Sequence, residues 1–168
     1  MSNPTTLPDN AQRATFAAGC FWGIETAFRE VEGVLRTSVG YTGGHAVDPT
    51  YDQVCHGGTG HAEAVEVWFD PDERPYTDLL KVFWAIHNPT SSGHQGWDVG
   101  NQYRSAIFTH TPEQQQLAEA SRRAEHESHG LPITTEIVPA HAFYPAEDYH
   151  QCYFEKHGGA MHLATSLV

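Results

Sequence analysis

The chain is expected to fold as one α/β (α+β) domain of two layers, a mixed β-sheet with helices packed on it. Segments of strand and helix periodicity alternate irregularly along 168 residues. At least one pair of strands is joined by a long loop instead of a helix, which argues against a purely parallel sheet. With 39% apolar and 11% aromatic residues, the chain can bury one core.

Residues 1–12 are polar, with two prolines and no periodicity, and are expected to form a disordered N-terminal tail. A catalytic domain is expected over residues 13–157 and a C-terminal tail over 158–168. Residues 14–18 suit a short strand that Gly19 breaks just before Cys20. Ile24, Ala27, Phe28 and Val31 then fall on one face of a helix that Gly33 would end. Residues 34–41 read as a strand, and residues 42–60 as a long Gly-rich loop. Residues 62–69 give the strongest strand signal.

A helix over residues 77–87 follows, with Leu79, Val82, Phe83 and Ile86 on one face and Asn88-Pro89 as its stop. A second polar loop spans 90–102, and 105–109 is a strand. Thr111-Pro112-Glu113-Gln114 has the capping-box pattern with Pro at the first helical position, opening a solvent-facing helix to about residue 128 with Gly130 as its cap. A short strand over 134–138 and a last helix over 147–157, bearing Tyr149, Cys152 and Tyr153 on one side, complete the reading. No internal repeat is visible.

Nine Lys+Arg against 21 Asp+Glu give a net charge of -12, so a phosphate backbone would be repelled and nucleic acid is not an expected partner. No segment has the apolar length needed to cross a bilayer, and the start shows no leader pattern. A cytoplasmic monomer is expected, with no membrane partner. Three cysteines, Cys20, Cys55 and Cys152, are an odd number at wide spacing, which does not suit a disulfide scaffold. The twelve histidines are scattered and form no short metal-ligand box.

Gly19-Cys20-Phe21-Trp22-Gly23 sets a thiol at the first turn of a helix, where free N–H groups and the helix dipole favour thiolate over thiol. The competing reading is a small buried residue at a tight turn. Two bulky aromatics flanking the thiol argue for a pocket, and Cys20 is the candidate nucleophile. Strict alternation puts Glu63, Val65, Val67 and Phe69 on one strand face and Ala62, Ala64, Glu66 and Trp68 on the other. A carboxyl on the apolar face loses hydration of its charged form and can carry a proton near neutral pH as a general acid. The same pattern also fits a strand-end glutamate reaching solvent.

A thiolate and an acid are what reduction of a sulfoxide requires, the thiol ending as a sulfenic acid that a second thiol condenses into a disulfide. Cys55 and Cys152 are the only internal candidates for that second thiol.

The chain resembles the A-type peptide methionine sulfoxide reductases. The resemblance is carried by Gly19-Cys20-Phe21-Trp22-Gly23, by residues 60–65, by residues 95–105 from Gln95-Gly96-Trp97-Asp98 through Gln102-Tyr103-Arg104-Ser105, and by Asp148-Tyr149-His150-Gln151. Together these run from about residue 14 to 154. The resemblance implies Cys20 as nucleophile and Glu63 as proton donor to the sulfoxide oxygen. It implies Phe21 and Trp22 as an apolar seat for the S-methyl group, Tyr51 and Tyr103 as phenols that hydrogen-bond the sulfoxide oxygen, and Asp98 as a carboxylate that helps fix the site.

It further implies the S epimer, free or in oxidised proteins, as substrate, thioredoxin or another thiol as reductant, and no metal or organic cofactor. Two departures stand out. Trp97 occupies a place where the family more often has a small polar residue, and the tail from Gly158 to Leu163 carries no resolving cysteine. Cys152, beside the fourth motif, is the first candidate resolver, ahead of Cys55; direct reduction by an external thiol is the third route.

Two other classes compete. A Cys–His–Asp acyl-transfer enzyme would use Cys20, a histidine and Asp98, but nothing ties one histidine to Cys20 and Glu63 then has no task. A zinc module would use His45, Cys55, His56 and His61, at a spacing that fits no regular finger.

Overall fold

The computed structural model describes residues 3–158. The chain runs through β1 (Gln12–Ala18), α1 (Phe21–Arg29), β2 (Val34–Thr42), α2 (Tyr51–His56), β3 (Ala62–Phe69) and α3 (Tyr76–Ala85). There follow a hairpin of β4 (His94–Gln95) and β5 (Asp98–Val99), then β6 (Ser105–Thr109), α4 (Pro112–His129), β7 (Glu136–Pro139), β8 (Tyr144–Pro145) and α5 (Tyr153–His157).

Six strands form one sheet in the order β7-β6-β1-β3-β2-β8. Only β6 and β7 pair in parallel, with α4 as their crossover, so the sheet is mixed as expected. The alternation read in β3 decides its two faces. Val65, Val67 and Phe69 join a core with Phe16, Phe28, Leu79 and Phe83 from β1, α1 and α3. Phe16 stacks on Phe28 at 5.0 Å and on Phe83 at 5.3 Å between ring centroids. The opposite face is small, with Ala17, Ala62, Ala64 and Ala106 beside Phe108, and Val138, Ala140 and Phe143 pack over it.

The long Gly-rich loop expected between β2 and β3 contains a short helix, α2. Its start is written in Thr50-Tyr51-Asp52-Gln53: the Thr50 side chain accepts the Gln53 N–H while the Gln53 side chain accepts the Thr50 N–H. The helix expected over 147–157 is broken. A 3-10 turn at Asp148–His150 comes first, Gln151 is extended, and Cys152 has φ 51° before α5 begins. Tertiary bonds outcompete helical ones here. Gln151 accepts the Val39 N–H at 2.9 Å and donates to the Val39 carbonyl at 2.8 Å, and the Cys152 N–H donates to Glu25 Oε1 at 2.7 Å.

The first residues, expected as a tail, are tied at Asn3, which donates to the Thr37 carbonyl at 2.7 Å and accepts the Thr37 N–H at 3.1 Å. The expected C-terminal tail lies, beyond Gly158, outside the described residues. Among the described residues no helix is long and apolar enough to cross a membrane.

Candidate active site

Cys20 stands where β1 hands over to α1, as the residue capping the helix. Gly19 makes the turn with φ 103°, and a Cβ there would press to 3.0 Å on Gln95 Cβ and Cγ. A glycine is required on both counts.

Glu63 is buried, opposite Tyr41 in the β2–β3 register. Its Oε1 accepts the Phe21 N–H at 3.2 Å, and its Oε2 is buried without a partner. Burial, against the Phe21 N–H and helped by the charge of Asp98, pushes this carboxyl up to about 8. At neutral pH Glu63 therefore carries a proton and presents it on an unsatisfied buried oxygen. The apolar-face reading of Glu63 is the one the structure bears out; the solvent-reaching alternative is not.

The thiol departs from expectation. Burial first, and the charge of Glu63 second, push Cys20 up to about 12, although the N–H groups of Trp22 and Gly23 act in the opposite sense. The helix start does supply its donors, and desolvation outweighs them. A protonated Glu63 removes the second of the three raising causes, leaving burial and the weaker charge of Asp98.

Aromatic rings wall the site. Phe21 is buried, 5.8 Å from Tyr41, 6.5 Å from Tyr51 and 5.2 Å from His150 between centroids. Trp22 is half-buried and stacks on Tyr153 at 3.8 Å with planes 8° apart, while its indole N–H donates to His150 Nδ1 at 2.9 Å. Tyr51 opens α2, its N–H donating to Glu147 Oε2 at 3.0 Å and its hydroxyl engaging Cys55. Tyr103 lies in the 3-10 turn Asn101–Tyr103. Both phenols are raised above their ordinary value, by burial first and also by the charge of Glu63, so both are donors.

Asp98 is exposed on the β4–β5 hairpin, and its charge reaches Cys20, Glu63 and Tyr103. Cys20, Glu63, Phe21, Tyr51, Tyr103 and Asp98 thus converge, with Trp22 alongside. The Gly-rich loop is stitched down by His61, whose Nδ1 accepts the Gly44 N–H at 3.0 Å and whose Nε2–H donates to the Ala46 carbonyl at 2.7 Å.

Cys152 is not in this cluster. Its Sγ lies 3.9 Å from Glu25 Oε2. Glu25 is five residues along α1 from Cys20, a rise of about 7.5 Å. Cys55 is exposed on α2.

The alternatives lose their footing. The groups acting on Cys20 are Glu63, Asp98 and two backbone N–H groups, with no histidine among them. Among the described residues no group of three or more His, Cys, Asp or Glu is arranged to hold a metal ion.

Two residues, Glu147 and His150, brace the walls of the site although no local pattern in the sequence marks them. Glu147 accepts the Tyr41 hydroxyl at 2.8 Å and the Tyr51 N–H, bracing one wall from two sides. His150 braces Trp22. The Asp148-Tyr149-His150-Gln151 motif pointed to this segment without saying what it touches.

A family model described as peptide methionine sulfoxide reductase matches residues 12–166. A peptide methionine sulfoxide reductase from Methanosarcina acetivorans is 58% identical over 162 residues, 95% of this chain and 86% of that one. A relative from Oryza sativa is 51% identical over 164 residues, 94% of this chain and 88% of that one. Among solved structures, methionine sulfoxide reductase A of Corynebacterium diphtheriae superposes with a TM-score of 0.83 at 38% identity, covering 94% of this chain and 83% of that one. Reduced Mxr1 from Saccharomyces cerevisiae gives 0.87 at 33% identity, covering 92% and 90%. With this fold, this convergence of thiol, acid and aromatic rings, and relatives matched over nearly their whole length, the chain belongs to the peptide methionine sulfoxide reductases, oxidoreductases that reduce methionine sulfoxide at the expense of thiols.

Proposed function

We propose that Cys20 attacks the sulfur of the S epimer of methionine sulfoxide, free or in an oxidised protein, while Glu63 gives its proton to the sulfoxide oxygen. The observation that carries this is the unpartnered, buried Glu63 Oε2, beside a thiol and on a carboxyl that is protonated at neutral pH. An orphaned buried polar atom costs stability and calls for a ligand. A sulfoxide oxygen would meet it together with the phenols of Tyr51 and Tyr103.

In the step, a bond forms from Cys20 Sγ to the substrate sulfur as the S–O bond breaks. Glu63 gives its proton to the oxygen, which takes the thiol proton as well and departs as water. That water then attacks Cys20 Sγ, the new Sγ–S bond breaks with its electron pair on the methionine sulfur, and Glu63 takes back a proton from the water. Cys20 is left as a sulfenic acid, so the thiol is oxidised by two electrons and the sulfoxide reduced by two. Phe21 and Trp22 seat the methyl group, which a ring face holds without polar partners.

For recycling, Cys152 is the proposed internal resolver, reached after the broken segment around it swings off Glu25, and thioredoxin in the cytoplasm the proposed final reductant. Mxr1 from Saccharomyces cerevisiae has been solved in complex with Trx2.

Mixing the fully reduced enzyme with excess methionine sulfoxide and no reductant, then counting methionine and remaining thiols, tests the scheme. One methionine and the loss of two of three thiols per chain is the expected result. Loss of one thiol would remove Cys152 from the scheme, and no methionine would overturn the role of Cys20.

A further inference from the structure

Trp97 is 100% exposed at the tip of the β4–β5 hairpin, and Val99 beside it is 76% exposed. A bare indole in water is an apolar surface without an occupant. The hairpin that carries it is firmly built. The Gly100 N–H closes onto the Gly93 carbonyl at 2.8 Å, Gln95 pairs with Asp98, and Gly96 takes φ 58° at the first turn position, so that Trp97 stands outward. Gln95 also grips the backbone of Asn88, accepting its N–H at 2.9 Å and donating to its carbonyl at 2.7 Å.

That rigid mount is set against the active site. Gln95 packs on Gly19, the residue before the thiol, and the charge of Asp98, next to Trp97, reaches Cys20. Trp97, in the turn between the paired Gln95 and Asp98, therefore stands next to the candidate site. Tyr149, 54% exposed, lies by the aromatic wall, its ring 4.0 Å from that of His150.

We propose that Trp97 is a docking surface for the apolar side chain next to the oxidised methionine in an extended, unfolded segment of client protein. The proposal rests on the reductase reading and narrows its substrate class. The hairpin adjoins the candidate site through Gln95 and Asp98, and Tyr149 adjoins its aromatic wall at His150. The exposed carboxylates of Asp52, Asp98 and Asp148, in a chain of net charge -12, oppose acidic flanks and leave neutral or basic ones. In a folded protein apolar neighbours are buried and out of reach, so the surface selects unfolded clients.

The test uses the full chain with dithiothreitol as reductant. Its substrates are N-acetyl-methionine sulfoxide and three peptides with the sulfoxide residue flanked on both sides by Leu, Gly or Asp. The wild type is expected to rank the peptides Leu above Gly above Asp in kcat/KM. Trp97→Ser is expected to lose about tenfold on the Leu peptide, through KM, with less than a twofold change on N-acetyl-methionine sulfoxide. Trp97→Phe is expected to recover to within about threefold.

An equal loss on all substrates would overturn the proposal in favour of a pocket wall, and no loss would overturn it outright. A defect seen only when thioredoxin replaces dithiothreitol would assign the surface to the reductant, and a concentration-dependent dimer lost in Trp97→Ser would assign it to a second copy; either overturns the proposal. Failure of the wild type on every substrate would instead sink the reductase reading on which the proposal stands.

Discussion

The indole N–H of Trp22 donates to Nδ1 of His150 at 2.9 Å, so the neutral imidazole carries its own proton on Nε2. His150 is buried, and burial lowers its pKa from the ordinary value. The bond orients the ring proposed to seat the substrate methyl group. His150→Leu is expected to raise KM about fivefold, as loss of a hydrogen bond worth about 1 kcal/mol implies, with a smaller effect on kcat. His150→Asn, which restores an acceptor at the δ position, should recover most of it. Protonation would set N–H against N–H, so KM should rise on acidification below the usual histidine range, and this limb should vanish in His150→Leu.

Glu63 gives the opposite limb. Its folded-state value of about 8 means that the acid is present below that pH and lost above it. The kcat of the reduction step should fall as pH rises through about 8. Glu63→Gln, which can still accept the Phe21 N–H, should cost on the order of 10²–10³ in kcat and abolish the alkaline limb. Single-turnover methionine formation across pH 6–10 checks both.

Tyr51 and Tyr103 are both held as phenols near Glu63. Tyr51→Phe and Tyr103→Phe should each lower kcat/KM about tenfold, the worth of one hydrogen bond to a developing charge. The double variant should lose less than the product of the two, because each phenol partly covers for the other. Rates of Cys20 alkylation should stay near wild type in all three.

Stability has its own pH dependence through His87. This ring is buried, with Nδ1–H donating to the Phe83 carbonyl at 2.7 Å and Nε2 2.7 Å from the Ser105 hydroxyl; burial lowers it from 6.5 to about 4. Between those values the unfolded chain takes up a proton that the folded chain refuses. Acidification below pH 6.5 therefore destabilises, by on the order of 3 kcal/mol once pH is below 4. His110 shifts in the same direction. The difference between wild type and His87→Gln in urea unfolding at pH 7, 5 and 4 isolates the His87 share, and a constant difference would exclude it.

How much of this was legible in the sequence follows from the range of the forces involved. The alternation in β3 left open whether the strand-end carboxyl of Glu63 is buried, which the packing around it decides. It did announce the strand and put Glu63 on its apolar face, because period 2 is a local property of the backbone. Cys20 at a helix start was legible for the same reason. The direction of its pKa was not, since that depends on burial and on a carboxyl 43 positions away. The break at Cys152 was hidden too: its helical pattern is intact, and what defeats it are Gln151 bonding Val39 and Glu25 bonding Cys152, both more than 100 residues distant. The helix α2 was written plainly in its capping box but masked by the glycines on either side.

The two borders of the main sheet are both short and both carry proline. At one, β7 has four residues ending at Pro139, with Glu136 bonded to Arg104 at 2.9 Å; at the other, β8 has two, Tyr144 and Pro145. Proline has no N–H to offer, and so brief a border gives a foreign strand no row of partners to template on. For a reductase whose proposed clients are oxidised and partly unfolded chains, this is protection against its own workload. On that proposal a damaged polypeptide would meet the enzyme through one side chain and its immediate neighbours, and leave without having been zipped onto the sheet.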